Sequence, residues 1–493
     1  MTANEASGAG RAVRAAGRVL LGLLAGAGCR PPAVTFPFEP VSSGDRRSGF
    51  DTDGDGRADF FLLVNEDGRV DRIGYDRTGD GEPDRLVHLD AIDRSRARHL
   101  VLVLDGVPFD VLSEFRAEGR LRVFHAPAAM VAPYPVMTDL ALQDAFGDMP
   151  APGLQARHYS RARRQVVGGN RAYLAGKNEP YVRLIQHRTG SLNDAFTYLY
   201  PKAVFDKEIN DVKRLWDRRE HQELVAYFVS SAGLGTRKGK EGQRYALRRC
   251  EQLIHQVLFE TGGLVKVTFF ADHGQTNVPC RPVDLSKHLA EKGWRVTGKV
   301  RGEKDVAVIR FGLVTYAAMH ARRPAALASD LLTHPRVTLA SYAEGDAVVV
   351  RTSDARAMIR STDGQTFRYE RVRGDPLKLG DLVGETADGR ALLKATVEAG
   401  HEYPDPLYRL WRAHFALAEN APDVLVSLDD RSCHGSGFFA RQVSMASTHG
   451  GLSRANSLTF FMSTAGRVEG PLRNEDVPGA VKGLFGRPFP YGR

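Results

Sequence analysis

Cysteine is scarce: four residues in 493, at positions 29, 250, 280 and 433. No C-x-x-C occurs, nor any Cys/His spacing of the zinc-finger kind, so the chain is not a small structural zinc module. Cys29 falls in an N-terminal leader-like stretch, and the odd remainder argues against a disulfide framework. One bridge is compatible with the count, Cys280–Cys433 being a candidate pair that spacing does not select. A concentrated charge of one sign is also missing. Lys and Arg number 68 against 59 Asp and Glu, a net charge of +9, and the basic residues are scattered. That excludes nothing about anionic small molecules or membrane surfaces, but no nucleic-acid polymer is expected as a partner. With 42% hydrophobic and 26% charged residues the composition is that of a folded chain, not a disordered one. The length suits one large domain with insertions, or two or three smaller ones.

Residues 1–29 read as a targeting segment. Arg11, Arg14 and Arg18 form a basic stretch ahead of Val19–Ala27, an apolar piece too short to span a bilayer but fit for a secretory core. Leu24-Ala25-Gly26-Ala27-Gly28-Cys29 resembles a bacterial lipoprotein signal, with Gly26 where Leu is usual. The resemblance implies lipidation of Cys29, a membrane partner through that anchor, and an exported location at the bacterial cell envelope. An ordinary cleaved signal with an incidental cysteine is the plainer alternative. Residues 30–45, with Pro31, Pro32, Pro37 and Pro40, would then be a tether.

Residues 46–93 hold an acidic Asp-Gly repeat. D-G-x-x-D occurs at 55–59, 67–71 and 80–84, beside the apolar pieces Phe60–Val64 and Leu86–His88, so short strands alternate with acidic turns. Asp51, Asp53, Asp55 and Asp59 take positions 1, 3, 5 and 9 of a calcium loop. The stretch resembles EF-hand and thrombospondin-type loops, with Leu62 where an EF-hand has its bidentate Glu. Asp76, Asp80 and Asp84 are weaker calcium candidates. A β-meander with Asp-Gly turns and no ion reads the same pattern.

Two apolar runs, Leu100–Leu104 and Val265–Phe270, have few polar breaks and suit strands covered on both faces of a parallel sheet. Each ends in a carboxylate: Asp105-Gly106, and Asp272-His273-Gly274. Ligands gather at the carboxyl ends of such strands, and Asp with His is a donor pair for a divalent transition metal. Alone, each is equally a polar turn. Thr138 follows Tyr134-Pro-Val-Met and precedes a helix-compatible run, Leu140–Phe146. It is either a helix cap or a hydroxyl at a helix N-terminus, where anions are favoured. Further helices are expected at Phe109–Gly119, at Glu241–Glu260, whose Arg244, Arg248 and Arg249 read as solvated, and at Pro324–Leu332. Strands are expected at Leu224–Val229, Val306–Arg310, Ala347–Val350 and Asp423–Leu428.

VLVLDGV, P-V-M-T with Gly147 downstream, FFADHG and Ser447-Thr-His449-Gly-Gly451 stand in this order. Together they resemble the alkaline phosphatase superfamily, most closely its type I phosphodiesterase/nucleotide pyrophosphatase branch, over residues 97–290 and 405–465. The resemblance implies an α/β fold: a core at 97–290 and 405–493, a mostly parallel sheet with helices on both faces, and an inserted α+β cap at 291–404. It implies a metal-dependent phosphoester hydrolase acting on a phosphoester small molecule, more a diester or pyrophosphate than a monoester. Asp105, Thr138, Asp272 and His273 would hold one divalent metal, zinc in most of the family, with Thr138 as nucleophile; His449 would belong to a second. The family's D-x-x-G-H falls on Ala232 and Thr236, which replace both remaining ligands of that second ion. Asp194, His187 and His221 are nearby polar residues that sequence does not place, and His434 reads as loop. A one-metal enzyme, a weakened enzyme and an inactive binding or structural lipoprotein are all open at this point.

Overall fold

The computed structural model describes residues 31–147, 150–169, 180–190, 196–436 and 443–490; the leader with Cys29, and Asp194, lie outside them. Among the described residues no helix is long and apolar enough to cross a membrane.

The core is a seven-stranded sheet. In chain order its strands are β1 (Arg98–Leu104), β2 (Ala128–Val131), β3 (His187–Arg188), β4 (Glu223–Phe228), β5 (Val265–Ala271), β6 (Leu458–Ser463) and β7 (Leu472–Arg473). They lie side by side as β3-β4-β1-β5-β6-β2-β7. The first four run parallel, β6 is antiparallel to both neighbours, and β7 is parallel to β2. Six helices pack on it: α1 (Phe109–Ala117), α2 (Thr138–Phe146), α3 (Pro201–Asp217), α4 (Ser230–Lys238), α5 (Lys240–Thr261) and α6 (Val477–Phe485). Alternation along β1 sorts them. Leu100, Leu102 and Leu104 enter one core with residues of α1, α3 and α5. Val101 and Val103 enter the other with Leu142, Ala145 and Phe146 of α2 and Val477, Val481, Leu484 and Phe485 of α6. Both faces are covered, which is why β1, β4 and β5 read as apolar runs with few polar breaks.

A second, nine-stranded sheet spans Arg295–Asp388, and its fourth strand in spatial order is Val424–Leu428. That strand pairs antiparallel with Tyr316–Ala321 and Val337–Glu344. It was expected in the core sheet. A strand buried on both faces looks alike in either, and only its partners decide.

The acidic repeat is a five-stranded antiparallel meander, Ser42–His88. Its true period is 25 residues. Asp51 accepts from Gly54 N and Gly56 N, as Asp76 does from Gly79 N and Gly81 N. Asp59 accepts from Thr52 N as Asp84 does from Arg77 N. The D-G-x-x-D at 67–71 is a plain hairpin tip, closed by Asn65 accepting from Arg69 N.

The proline-rich stretch is no loose tether from residue 31 on. Asn210 of α3 accepts from Ala33 N and Val34 N, and Gln256 of α5 from Thr35 N and Phe36 N. Phe36 is buried against Phe50, Phe60 and Phe259. Proline counts do not reveal side-chain amides elsewhere waiting to satisfy the strand's N–H groups. Arg249 is likewise not solvated: it is buried, with Nε 2.9 Å from Asp206 Oδ1.

Cys280 and Cys433 form a disulfide, Cα–Cα 5.8 Å, while Cys250 is free and buried. The bridge lies beside the paired short strands Arg281–Pro282 and Ser432–Gly435, so it ties the chain just beyond Asp272-His273-Gly274 to the segment that follows Val424–Leu428. The His434 expected in a loop is in this strand. With its ends 153 positions apart, the closed loop gives an entropic stabilisation of about 5 kcal/mol as an upper value. Non-reducing peptide mapping should recover Cys280 linked to Cys433 and Cys250 alkylatable only after unfolding. The double Cys→Ser variant should show a clearly lower denaturation midpoint; an unchanged midpoint would mean that the rest of the fold already holds this loop.

Candidate active site

Parallel pairing sets two carboxylates side by side. Leu104 is opposite Ala271 in the β1–β5 register, so Asp105 and Asp272 are the next residues off two adjacent strands. Asp272 N donates to Leu104 O at 3.1 Å. By strand alternation Asp105 follows Val101 and Val103, and Asp272 follows Phe270, on the face that packs against α2. Thr138 opens α2 on that face.

Thr138 does not cap its helix. The N-cap is Met137, in extended conformation and without a side-chain cap, and Thr138 is the first helical residue. Its hydroxyl turns instead to the strand ends, 3.4 Å from Asp105 Oδ2 and 3.1 Å from His273 Nε2. His273 Nε2 lies 3.5 Å from Asp105 Oδ1 and 3.6 Å from Asp272 Oδ2. Its other nitrogen, Nδ1, donates to Gly274 O at 2.8 Å, which leaves the Nε2 lone pair facing the hydroxyl and the carboxylates. Asp272 and His273 are fully buried and Asp105 nearly so, while Thr138 is half-buried. Asp105, Asp272 and His273 form a group able to hold a metal ion.

The electrostatics point the same way. Asp272 Oδ1 accepts from Gly106 N at 3.0 Å, but Oδ2 is buried without a hydrogen-bond donor. Burial pushes the Asp272 carboxyl up to about 7, opposed by the Gly106 N–H, and pushes the His273 imidazole down to about 4. An orphaned buried carboxylate oxygen beside an imidazole lone pair is costly unless a cation joins them. Tetrahedral zinc at 2.0–2.2 Å from its ligands separates them by about 3.3–3.6 Å. The gaps above lie within or close to that range.

His449 stacks on His273, ring centres 4.2 Å apart, with Nδ1 2.8 Å from Val136 O. Ala232 and Thr236 are buried in α4. Among the described residues no group of three Asp, Glu, His or Cys donors gathers around His449. His221 lies just before β4, whose Glu223 pairs with His99 near the amino end of β1; that is the far edge of the sheet from Asp105. His187 is on β3, two strands away. In the meander, Asp51, Asp53 and Asp55 form a second acidic group, but Asp59 is turned away from it: both its oxygens accept from Thr52.

Sequence reasoning missed the residues that hold these side chains. Tyr227 donates to Asp105 Oδ2 at 2.5 Å, Ser231 Oγ accepts from Asp105 N at 2.7 Å, and Asn474 Nδ2 donates to Asp272 O at 2.8 Å. The signal for Tyr227 was parity: it stands opposite Val103, two residues before Asp105 and on the same face. Gly274 is required by closeness: a Cβ there would lie 2.3 Å from Ala455 O and 2.9 Å from Leu458 O. Gly274→Ala should therefore cost on the order of 1–3 kcal/mol in denaturation experiments. A wild-type midpoint would show that the 455–458 backbone yields freely.

No family model matches this chain, and no curated protein matches it. Among solved structures it is similar to human ectonucleotide pyrophosphatase/phosphodiesterase 5, at 10% identity and a TM-score of 0.45, over 79% of this chain and 95% of that one.

Proposed function

We propose that this chain is a metal-dependent phosphoester hydrolase of the phosphodiesterase/nucleotide pyrophosphatase kind, with an alkaline-phosphatase-like core. What carries the reading is the convergence of Thr138 Oγ1, His273 Nε2 and the carboxylates of Asp105 and Asp272, with neighbouring donors 3.1–3.6 Å apart. Two carboxylates, a neutral imidazole and a hydroxyl are a donor set for zinc or a similar divalent ion. When bound, such an ion lowers the pKa of a coordinated hydroxyl and offsets developing negative charge.

The chain's own groups do the rest. Thr138 presents the attacking oxygen at the first turn of α2, where the positive end of the helix favours an incoming phosphoryl group. His273 keeps a proton on Nδ1, committed to Gly274 O, so Nε2 stays available as a lone pair toward Thr138. Thr138 is the one member of the set that is not buried below the surface, being partly exposed. Among the described residues His449 is the one donor left for a second ion, a single imidazole, so the reading is of a site with one resident metal. The specific observation that favours a weak or inactive binding protein is the same one: Ala232 and Thr236 supply no strong donor.

On this reading the protein is exported and lipid-anchored at Cys29, and the meander takes calcium through Asp51, Asp53 and Asp55, with Asp76 and Asp80 as a weaker echo; Asp84, like Asp59, has both oxygens engaged by a neighbour, here Arg77. Support for calcium is the grouping of the first three carboxylates.

Metal analysis of purified protein should find a single tightly held divalent ion per chain. A chelator should abolish hydrolysis of a bis-nitrophenyl phosphodiester, and Thr138→Ala should lower it on the order of a thousandfold or more, with Thr138→Ser retaining activity. Wild-type turnover by Thr138→Ala would end this assignment. Calorimetry with calcium should give saturable heat that Asp53→Ala removes; a flat titration leaves the meander a purely structural element.

A further inference from the structure

β4 and α4 bring no strong metal donor to the site, yet their junction is buried against Asp105. Tyr227, near the end of β4, is 2% exposed and stands opposite Val103 of β1. Strand alternation aims both Tyr227 and Asp105 at the α2 face, and the phenol is long enough to span the two-residue offset. Its hydroxyl donates to Asp105 Oδ2 at 2.5 Å. The oxygen so held is the one 3.4 Å from the Thr138 hydroxyl; Oδ1 is the one 3.5 Å from His273 Nε2. Four residues on, Ser231 in the first turn of α4 grips the main chain of the same residue. Its Oγ accepts from Asp105 N at 2.7 Å and shares its proton between Asp105 O and Phe228 O, 2.9 and 2.7 Å away. Ser231 is fully buried. Backbone and carboxylate of Asp105 are thus both held by one segment, through neutral hydroxyl groups.

We propose that Tyr227 is a positioning residue for the metal site, holding Asp105 Oδ2 so that the carboxylate meets the ion in one orientation, with Ser231 fixing the main chain beneath it. The inference rests on the metal-site reading above. Partners that orient a metal-ligating carboxylate are typically worth 10–100-fold in metal affinity. Phenylalanine keeps the ring and its packing with Val225 and Val103 while deleting the single donor.

The test compares wild type and Tyr227→Phe, full-length, stripped and reloaded with cobalt(II). Affinity is read by competition with a chromogenic chelator, ligand geometry by the visible cobalt absorption, and fold by the melting temperature of the metal-free protein. The expected result is a 10–100-fold loss of affinity with a changed cobalt spectrum and a metal-free melting temperature close to wild type. Wild-type affinity, or weaker binding with an unchanged spectrum, overturns the positioning role. Should Tyr227→Phe not fold, Ser231→Ala is read by the same criteria, and an unchanged spectrum there overturns it equally. If wild type takes up no cobalt at all, it is the metal-site reading that falls, a result distinct from either outcome for the variants.

Discussion

The parallel register of β1 and β5 is the constraint on which the site depends. Because Leu104 faces Ala271, the two strands end level, and Asp105 and Asp272 leave the sheet as neighbours on one face. Their donor atoms lie within 4.8 Å of each other and of His273 in a region closed to water. At that separation and an effective dielectric near 20, two ionised carboxylates repel by about 3–4 kcal/mol. The pair is tolerable with a shared proton or with a cation between them. Burial raises the Asp272 carboxyl, which makes a proton on it the metal-free way of avoiding that repulsion. A slip of one residue in the register would send one carboxylate to the opposite face, among the leucines that pack on α3 and α5.

Everything else brings groups to that pair from far along the chain. β2 leads into Tyr134–Met137 and delivers Thr138 at the start of α2. The loop before β6 delivers His449, then returns at Asn456 to accept from Gly274 N at 2.9 Å. Beyond β7, Asn474 binds the main chain of Asp272. The site is therefore complete only when the last strands of the sheet have docked. Gly274 shows how closely: the Asp-His-Gly turn and the 455–458 backbone meet with no room for a methyl group.

What was legible in the sequence was local. Asp105, Thr138, Asp272 and His273 each sit at the end of a strongly patterned element, so strand and helix boundaries alone aim them at one edge. Donor identity could be read there because few residue types hold a metal. What was not legible depends on pairing between distant segments. Val424–Leu428 is apolar enough for either sheet. The strap at Ala33–Phe36 is held by Asn210 and Gln256, two amides with no sequence mark of their purpose. Asp59 looked like a ligand until its oxygens went to Thr52. Tyr227 could have been found from parity, but only once β4 was known to lie beside β1 in that register.

The fate of α4 follows from packing as much as from ligand chemistry. A Cβ on Gly233 would lie 2.2 Å from Thr197 O, and one on Gly235 would lie 2.2 Å from the Gln275 side chain. The helix is pressed between neighbours through its glycines, and Ala232 and Thr236 are small and buried within it. A helix so placed can serve the Asp105 site as a rigid wall without contributing a ligand, because Ser231 reaches Asp105 from its first turn. On the proposed reading, losing strong donors at 232 and 236 removes the means of holding a second ion but leaves the first ion's support intact. Charge on the phosphoryl oxygens away from the metal would then fall to the N-terminus of α2, a partial charge of about half an electron. That is a weaker clamp than a second divalent ion, and it suits slow turnover of a diester, with its single negative charge, better than that of a doubly charged monoester.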